Sequence, residues 1–296
     1  NTSEGLSVVA HGLDWKPGQN VVTSRQEFPS NRIVWQSLES RFGVEARLAD
    51  LSAADDPEAE LFALVDDNTR VIAISAVQYA TGLRMDLARI GAFCRERKIL
   101  FCVDAIQQLG ALPFDVQTVQ ADFVVADGHK WMLGPEGIAL FYARPELRDT
   151  LGLHQYGWHM VEHAHDFDRE DWEPAYSARR FECGSPNMLG IHGLQASLSL
   201  IRETGLEIIS ENISKNIQYL IEKLEEKNME ILSDLRPERR SGILTFRPPG
   251  DVAAVYEHLQ GQGVLCALRG GGIRFSPHYY TSREDMDRAL TLLTGA

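Results

Sequence analysis

Short apolar runs punctuate this chain, each closed by polar or glycine-rich residues. Phe123-Val124-Val125-Ala126 is one, of the kind expected for a strand buried on both faces. Asp127-Gly128-His129-Lys130 breaks it, and Gly134-Pro135-Glu136-Gly137 turns the chain into a second run, Ile138 to Tyr142. Earlier runs at Asn20 to Thr23, Val44 to Leu48, Thr69 to Ile74 and Ile99 to Val103 predict further strands. Between them, helical spacing predicts helices over Arg32 to Phe42, Glu58 to Val65 and Leu83 to Arg97. Beyond residue 187 the pattern changes. Helices are predicted over Met188 to Ile201, Leu206 to Asn228 and Asp251 to Gln260, with a last one opened by Thr281-Ser282-Arg283-Glu284. Strands are predicted near Met229 to Leu232, Gly242 to Phe246, Val264 to Leu268 and Ile273 to Ser276. This reads as an α/β layer with a parallel sheet followed by a smaller α+β part.

Asp104 closes one of these strands, and Lys130 lies 26 residues later, beyond the next. That spacing suits one strand–crossover–strand unit, which sets both residues at the same sheet edge. Ligands of open parallel sheets bind beyond the carboxyl ends of the strands. An amine and a carboxylate converging there are what pyridoxal 5'-phosphate (PLP) chemistry needs. The amine forms a Schiff base and the carboxylate keeps the pyridine nitrogen protonated. By residue type alone, a solvated surface lysine and a capping aspartate account for the same two residues.

Composition narrows the partners. The formal charge of −13 disfavours nucleic acid and anionic membrane surfaces. No apolar run is long enough to span a bilayer, and no signal peptide is expected. The four cysteines, Cys94, Cys102, Cys183 and Cys266, form no CxxC pair, and they read as reduced residues of a cytoplasmic protein. His159-Met160-Val161-Glu162-His163, with His165 after it, matches an H-x-x-E-H zinc pattern. Its flanks lack the amphipathic run of a zincin helix, so no metal is expected there.

Five segments, in order, carry a resemblance: NTSEGLSVVA, VDAIQQ, DGHKWMLGPEGIALFY, FECGSPN and IRFSPHYYTSREDMDRAL. Together they resemble the class V aminotransferase family of PLP enzymes, which includes cysteine desulfurases, kynureninase and isopenicillin-epimerase-like proteins. The resemblance runs from end to end of the chain. It implies fold type I (aspartate-aminotransferase-like), with a PLP-binding large domain over residues 1–203 and a small C-terminal domain over 204–296. It also implies a homodimer, and an N-terminal segment ahead of Asn1 that contributes to the substrate pocket in the family.

The resemblance assigns roles. Lys130 is the Schiff-base lysine, Asp104 pairs with the pyridinium, and Gln107 hydrogen-bonds the ring oxygen. Thr2, Ser3 and His129 match positions that hold the phosphate. Asp127 stands where a serine is common, so it is expected to point away from the phosphate. Phe28 matches the ring that stacks on the cofactor, a histidine in the desulfurases. Tyr79 lies in a cofactor-side loop, where desulfurases have asparagine. Ser185 matches a residue that reaches the phosphate in the partner subunit. Arg274 matches the arginine that clamps the carboxylate of the amino-acid substrate. The desulfurases carry their catalytic cysteine on a longer loop between the counterparts of Arg269 and Arg274. Here Gly270-Gly271-Gly272-Ile273 fills that gap, and Cys266 precedes it.

The expected reaction is class V transamination through abstraction of the α-proton. Epimerisation and carbon–sulfur cleavage share that first step and stay open, as does a catalytically silent assembly protein.

Overall fold

In a computed structural model, which describes residues 1–52 and 54–293, the chain divides into two compact units. Ala53 and Thr294 to Ala296, the last of these closing the expected small domain, lie outside the described residues. One unit comprises Asn1–Ser75, Asp86–Ile106 and Asp115–Ser197, and the other Ala76–Met85, Gln107–Phe114 and Leu198–Ala296.

The first unit runs α1 (Thr2–Gly12), β1 (Asn20–Ser24), α2 (Pro29–Gln36), α3 (Leu38–Phe42), β2 (Glu45–Ala49), α4 (Pro57–Phe62), β3 (Thr69–Ser75), α5 (Leu87–Arg97), β4 (Leu100–Asp104), α6 (Val116–Val119), β5 (Phe123–Asp127), β6 (Ala139–Ala143) and α7 (Pro145–Arg148). Helix α8 (Met188–Thr204) begins in it. The strands form one sheet in the order β2-β1-β3-β4-β5-β6. All neighbours are parallel except β6, which runs antiparallel to β5. Strand order reverses between β1 and β3, so the crevice beyond their carboxyl ends is the place for a ligand. Central strands β1, β3, β4 and β5 are buried almost throughout, as near-continuous apolar runs demand. On one face Val21, Val71, Ala73, Cys102, Phe123 and Val125 join Leu6, Val9 and Ala10 of α1 in a core cluster.

Several predicted boundaries move, and two of them show why. The helix expected over Arg32 to Phe42 starts earlier, at Pro29, whose fixed φ suits a first helical position, and divides at Ser37. The helix expected from Leu83 starts at Leu87, because the Asp86 side chain caps it by accepting from Arg89 N–H, while Val77 and Arg84 form an antiparallel bridge ahead of it. The apolar residues Leu83 and Met85 are buried, but in that non-helical segment.

The second unit contains α9 (Leu206–Glu226), β7 (Glu230–Ile231), β8 (Leu244–Arg247), α10 (Val252–Gly261), β9 (Ala267–Arg269), β10 (Gly272–Phe275) and α11 (Arg283–Leu292). Its antiparallel sheet is ordered β7-β8-β10-β9. Helix α9 buries Ile209, Ile213, Ile217, Leu220, Ile221 and Leu224 at helical spacing, while Ile208, which shares the apolar pattern, is exposed. Segment Ala76–Met85 belongs to this unit. Its carbonyls at Ala80, Thr81 and Gly82 accept from the hydroxyls of Thr245, Ser233 and Ser241.

Gly5 sets how closely α1 approaches β5, since a Cβ there would lie 2.5 Å from Val125 Cγ1. Gly5→Ala is therefore expected to cost about 1–3 kcal/mol in urea unfolding. A cost indistinguishable from zero would mean that α1 is not seated on β5 in this way.

Candidate active site

The carboxyl ends of β1, β3, β4 and β5 present Glu27-Phe28, Ser75, Asp104 and Asp127. Asp104 pairs in register with Ser75 of β3 on one side and Val125 of β5 on the other. It is 2% exposed, and its Oδ1 accepts from Ile106 N–H at 3.0 Å. Burial raises its pKa to about 7, opposed by the Ile106 hydrogen bond and the Lys130 charge and reinforced by Glu27 and Asp127. Among the described residues no cation stands within ion-pair distance of it. A buried acid held this way is suited to a cationic ring nitrogen.

Lys130 follows β5, and its Nζ lies 5.7 Å from the centroid of the Phe28 ring. Phe28 caps the start of α2 and leaves 42% of its surface exposed, an aromatic group of the kind on which a flat ring can stack. Asp104, Lys130 and Phe28 therefore gather in one unit, and they fit the ring of PLP.

The phosphate end is different. Asp127 points at the start of α1: its Oδ2 accepts from Thr2 N–H at 2.9 Å, and its own N–H donates to Thr2 Oγ1 at 3.0 Å. Asp127 Oδ1 is buried without a hydrogen-bond partner, 3.7 Å from Nδ1 of His129. Ser3 Oγ donates to Ser30 Oγ at 2.7 Å. The helix N-terminus that suits a phosphate thus already serves a carboxylate, and the Thr2 hydroxyl keeps its proton for another acceptor. Ser185 is exposed in the loop before α8.

On the second unit, Gln107 is buried three residues after Asp104 in the chain. Arg274 lies on β10, and its NH1 donates to the Tyr79 carbonyl at 2.5 Å. Tyr79 thus meets this arginine through its backbone. Arg274 Nε is buried without a hydrogen-bond partner, and among the described residues no carboxylate pairs with Arg274. Burial, and then the charge of Arg269, lowers its pKa. An incoming carboxylate would relieve that cost, the task expected of a substrate clamp.

The loop after Arg269 is shorter than any single-residue reading conveys. Arg269 of β9 pairs directly with Gly272 of β10 across Gly270-Gly271, both with positive φ (58° and 79°). This is a two-residue hairpin, which glycines accommodate without strain. Residues His159 to His163 form an irregular loop, and among the described residues no three metal-ligating side chains come together.

Sequence reasoning passed over Glu27. It is buried, accepts from Ser75 N–H and the Asn31 amide, and sits one residue before Phe28. Its place directly after β1, at the reversal of strand order, was the available signal.

Residues 1–288 match the family described as aminotransferase class-V. The chain belongs to this class V aminotransferase family of PLP-dependent enzymes. It is 30% identical to a probable cysteine desulfurase of Pyrococcus abyssi, over 99% of this chain and 76% of that protein. With a cysteine desulfurase of Klebsiella pneumoniae it shares 32% identity, over 83% of this chain and 60% of the relative. Among solved structures, it resembles the apo cysteine desulfurase of Thermococcus onnurineus (TM-score 0.90, 26% identity, 100% of this chain and 77% of the other). It also resembles the cystine C–S lyase C-DES in complex with its product cysteine persulfide (TM-score 0.91, 25% identity, 99% and 79%). No helix among the described residues is long and apolar enough to cross a membrane.

The raised pKa of Asp104 has a definite sign. Between the ordinary value of 3.8 and about 7, the folded protein keeps a proton that the unfolded chain releases. Cofactor-free protein therefore loses stability as pH rises through that window. Relative to Asp104→Asn, the unaltered protein is expected to lose up to about 4 kcal/mol between pH 4 and 8 in urea unfolding. Parallel pH profiles for the two proteins would contradict this.

Proposed function

We propose that this chain is a PLP-dependent carbon–sulfur lyase for an amino acid of the cysteine or cystine class, working without a persulfide on its own cysteine. The observation that carries this reading is the two-residue turn at Gly270-Gly271, which leaves no loop there to present a thiolate. The other thiols are poorly suited to the task. Burial pushes the Cys94 and Cys102 thiols far up, and it also raises that of half-buried Cys266. The thiolate is the nucleophile, so such groups react slowly. Cys183 Sγ lies 3.6 Å from the Gln155 side-chain oxygen. Similarity to cysteine desulfurases and to a cystine C–S lyase supports sulfur chemistry over the transamination expected from the motifs alone.

PLP, when bound, supplies an aldehyde that takes the substrate amine and a ring that draws electrons from the substrate Cα. Lys130 Nζ would hold the cofactor and act as the base for the substrate Cα proton. Asp104 holds a proton at the ring nitrogen, Phe28 offers the stacking face, and Gln107 donates to the ring oxygen. Thr2, Ser3 and His129 bind the phosphate, joined in a homodimer by Ser185 from the second copy. Arg274 binds the substrate carboxylate, with Tyr79 holding its guanidinium. Loss of the Cα proton and the Cβ–S bond, with one water consumed, yields pyruvate, ammonia and the sulfur leaving group. From cystine that group is cysteine persulfide, and from cysteine it is sulfide.

The test is an assay of cystine and cysteine for pyruvate, ammonia and released sulfur. A variant with Cys183 and Cys266 both changed to serine is expected to keep its rate within about a factor of two. Loss of sulfur release in that variant would indicate a persulfide-carrying cysteine. Amino transfer to a 2-oxo acid without sulfur release would restore the aminotransferase reading.

A further inference from the structure

Glu27 is a buried acid at these strand ends to which the reaction above gives no task. It is 2% exposed and lies between β1 and α2. Its Oε1 accepts from Ser75 N–H at 2.9 Å, and its Oε2 accepts from Ser75 Oγ at 2.5 Å and Asn31 Nδ2 at 2.8 Å. Asn31 is in turn fixed by Trp35, whose indole N–H donates to its amide oxygen at 2.9 Å. Such donors favour the ionised carboxylate. Ser75 ends β3 and is the register partner of Asp104. Two buried carboxyl groups therefore sit on adjoining strand ends, one bonded to Ser75 and the other paired beside it.

A carboxylate needed only to tie β1 to β3 would have no reason to lie beside a second acid, because like charges in a poorly screened interior repel. The arrangement makes sense if a proton is to be kept there. We propose that Glu27 is a positioning residue for the cofactor ring, its buried negative charge retaining the single proton that Asp104 shares with the ring nitrogen. Asp104 touches the ring, and Glu27 acts through Asp104. Asp127 works in the same direction and Lys130 against it. Retention of that proton keeps the ring electron-withdrawing as pH rises. The inference rests on the PLP reading above.

The experiment uses holoenzyme loaded with PLP labelled with 15N at the ring nitrogen, whose chemical shift is followed against pH. Glu27→Gln removes the charge while keeping the shape. Its ring nitrogen is expected to lose its proton about one to two pH units lower, a ten- to hundredfold loss of proton affinity. In the cofactor-free protein the Asp104 titration is expected to move down in the same way. Ser75→Ala removes one hydrogen bond but leaves the charge, so it is expected to lower stability while keeping the midpoint near that of the unaltered protein. Glu27→Gln with an unchanged midpoint overturns the proposal, as do equal shifts in both variants. Should Glu27→Gln not fold, 13C resonances of labelled glutamate carboxyls in the unaltered protein decide: an ionised Glu27 at pH 7 supports the proposal, and a protonated one overturns it. Failure of the PLP reading itself is distinguishable, because the unaltered protein would then take up no labelled cofactor.

Discussion

A carboxyl group buried at the end of a central parallel strand is costly, and the first unit is arranged around that cost at Asp104. The sheet fixes the group: β4 is flanked by β3 and β5, and both neighbours are buried along their length. It is almost wholly shielded from water, and Ile106 N–H gives it one hydrogen bond. Burying a charged group is expensive unless it is paired, and the nearest compensation in the cofactor-free protein is the field of Lys130. The same burial that penalises the anion would make it a strong partner for a cationic ring nitrogen of the kind proposed above. Stability is thus given up locally for a site whose charge is completed by a ligand.

The second unit reaches its chemistry by economy of backbone. Arg274 projects from a short antiparallel strand whose hairpin partner ends at Arg269, only the two residues Gly270-Gly271 ahead of it. Its guanidinium is anchored by the Tyr79 carbonyl, while Nε stays buried without a partner. A tight hairpin makes a rigid mount for a carboxylate clamp, but it removes the room in which a mobile cysteine would travel. The turn that closes the hairpin therefore also bears on which branch of the proposed sulfur chemistry is open to the chain.

Much of this was legible in the order of residues. Alternating strands and helices declared the α/β unit, and the stripe Ile209 to Leu224 declared α9, because those patterns follow directly from burial. The placing of Asp104 and Lys130 at neighbouring strand ends was legible because strand ends are readable and these residue types are distinctive there. Boundaries set by single side chains were harder: Asp86 starts α5 by capping it, although the apolar spacing runs back to Leu83. The Asp127–Thr2 exchange was illegible because it joins residues 125 positions apart, and an aspartate in a serine's place carries no mark of where it turns. Glu27 escaped notice for a similar reason, since its partners Asn31 and Ser75 come from different elements.

The most direct test of the account is covalent. Purified protein incubated with PLP is reduced with borohydride, digested and mapped by mass spectrometry. The account predicts a visible absorption band that bleaches on reduction and a pyridoxyl group on Lys130 alone. No band, or a label on another lysine, would contradict the placing of cofactor chemistry at the end of β5.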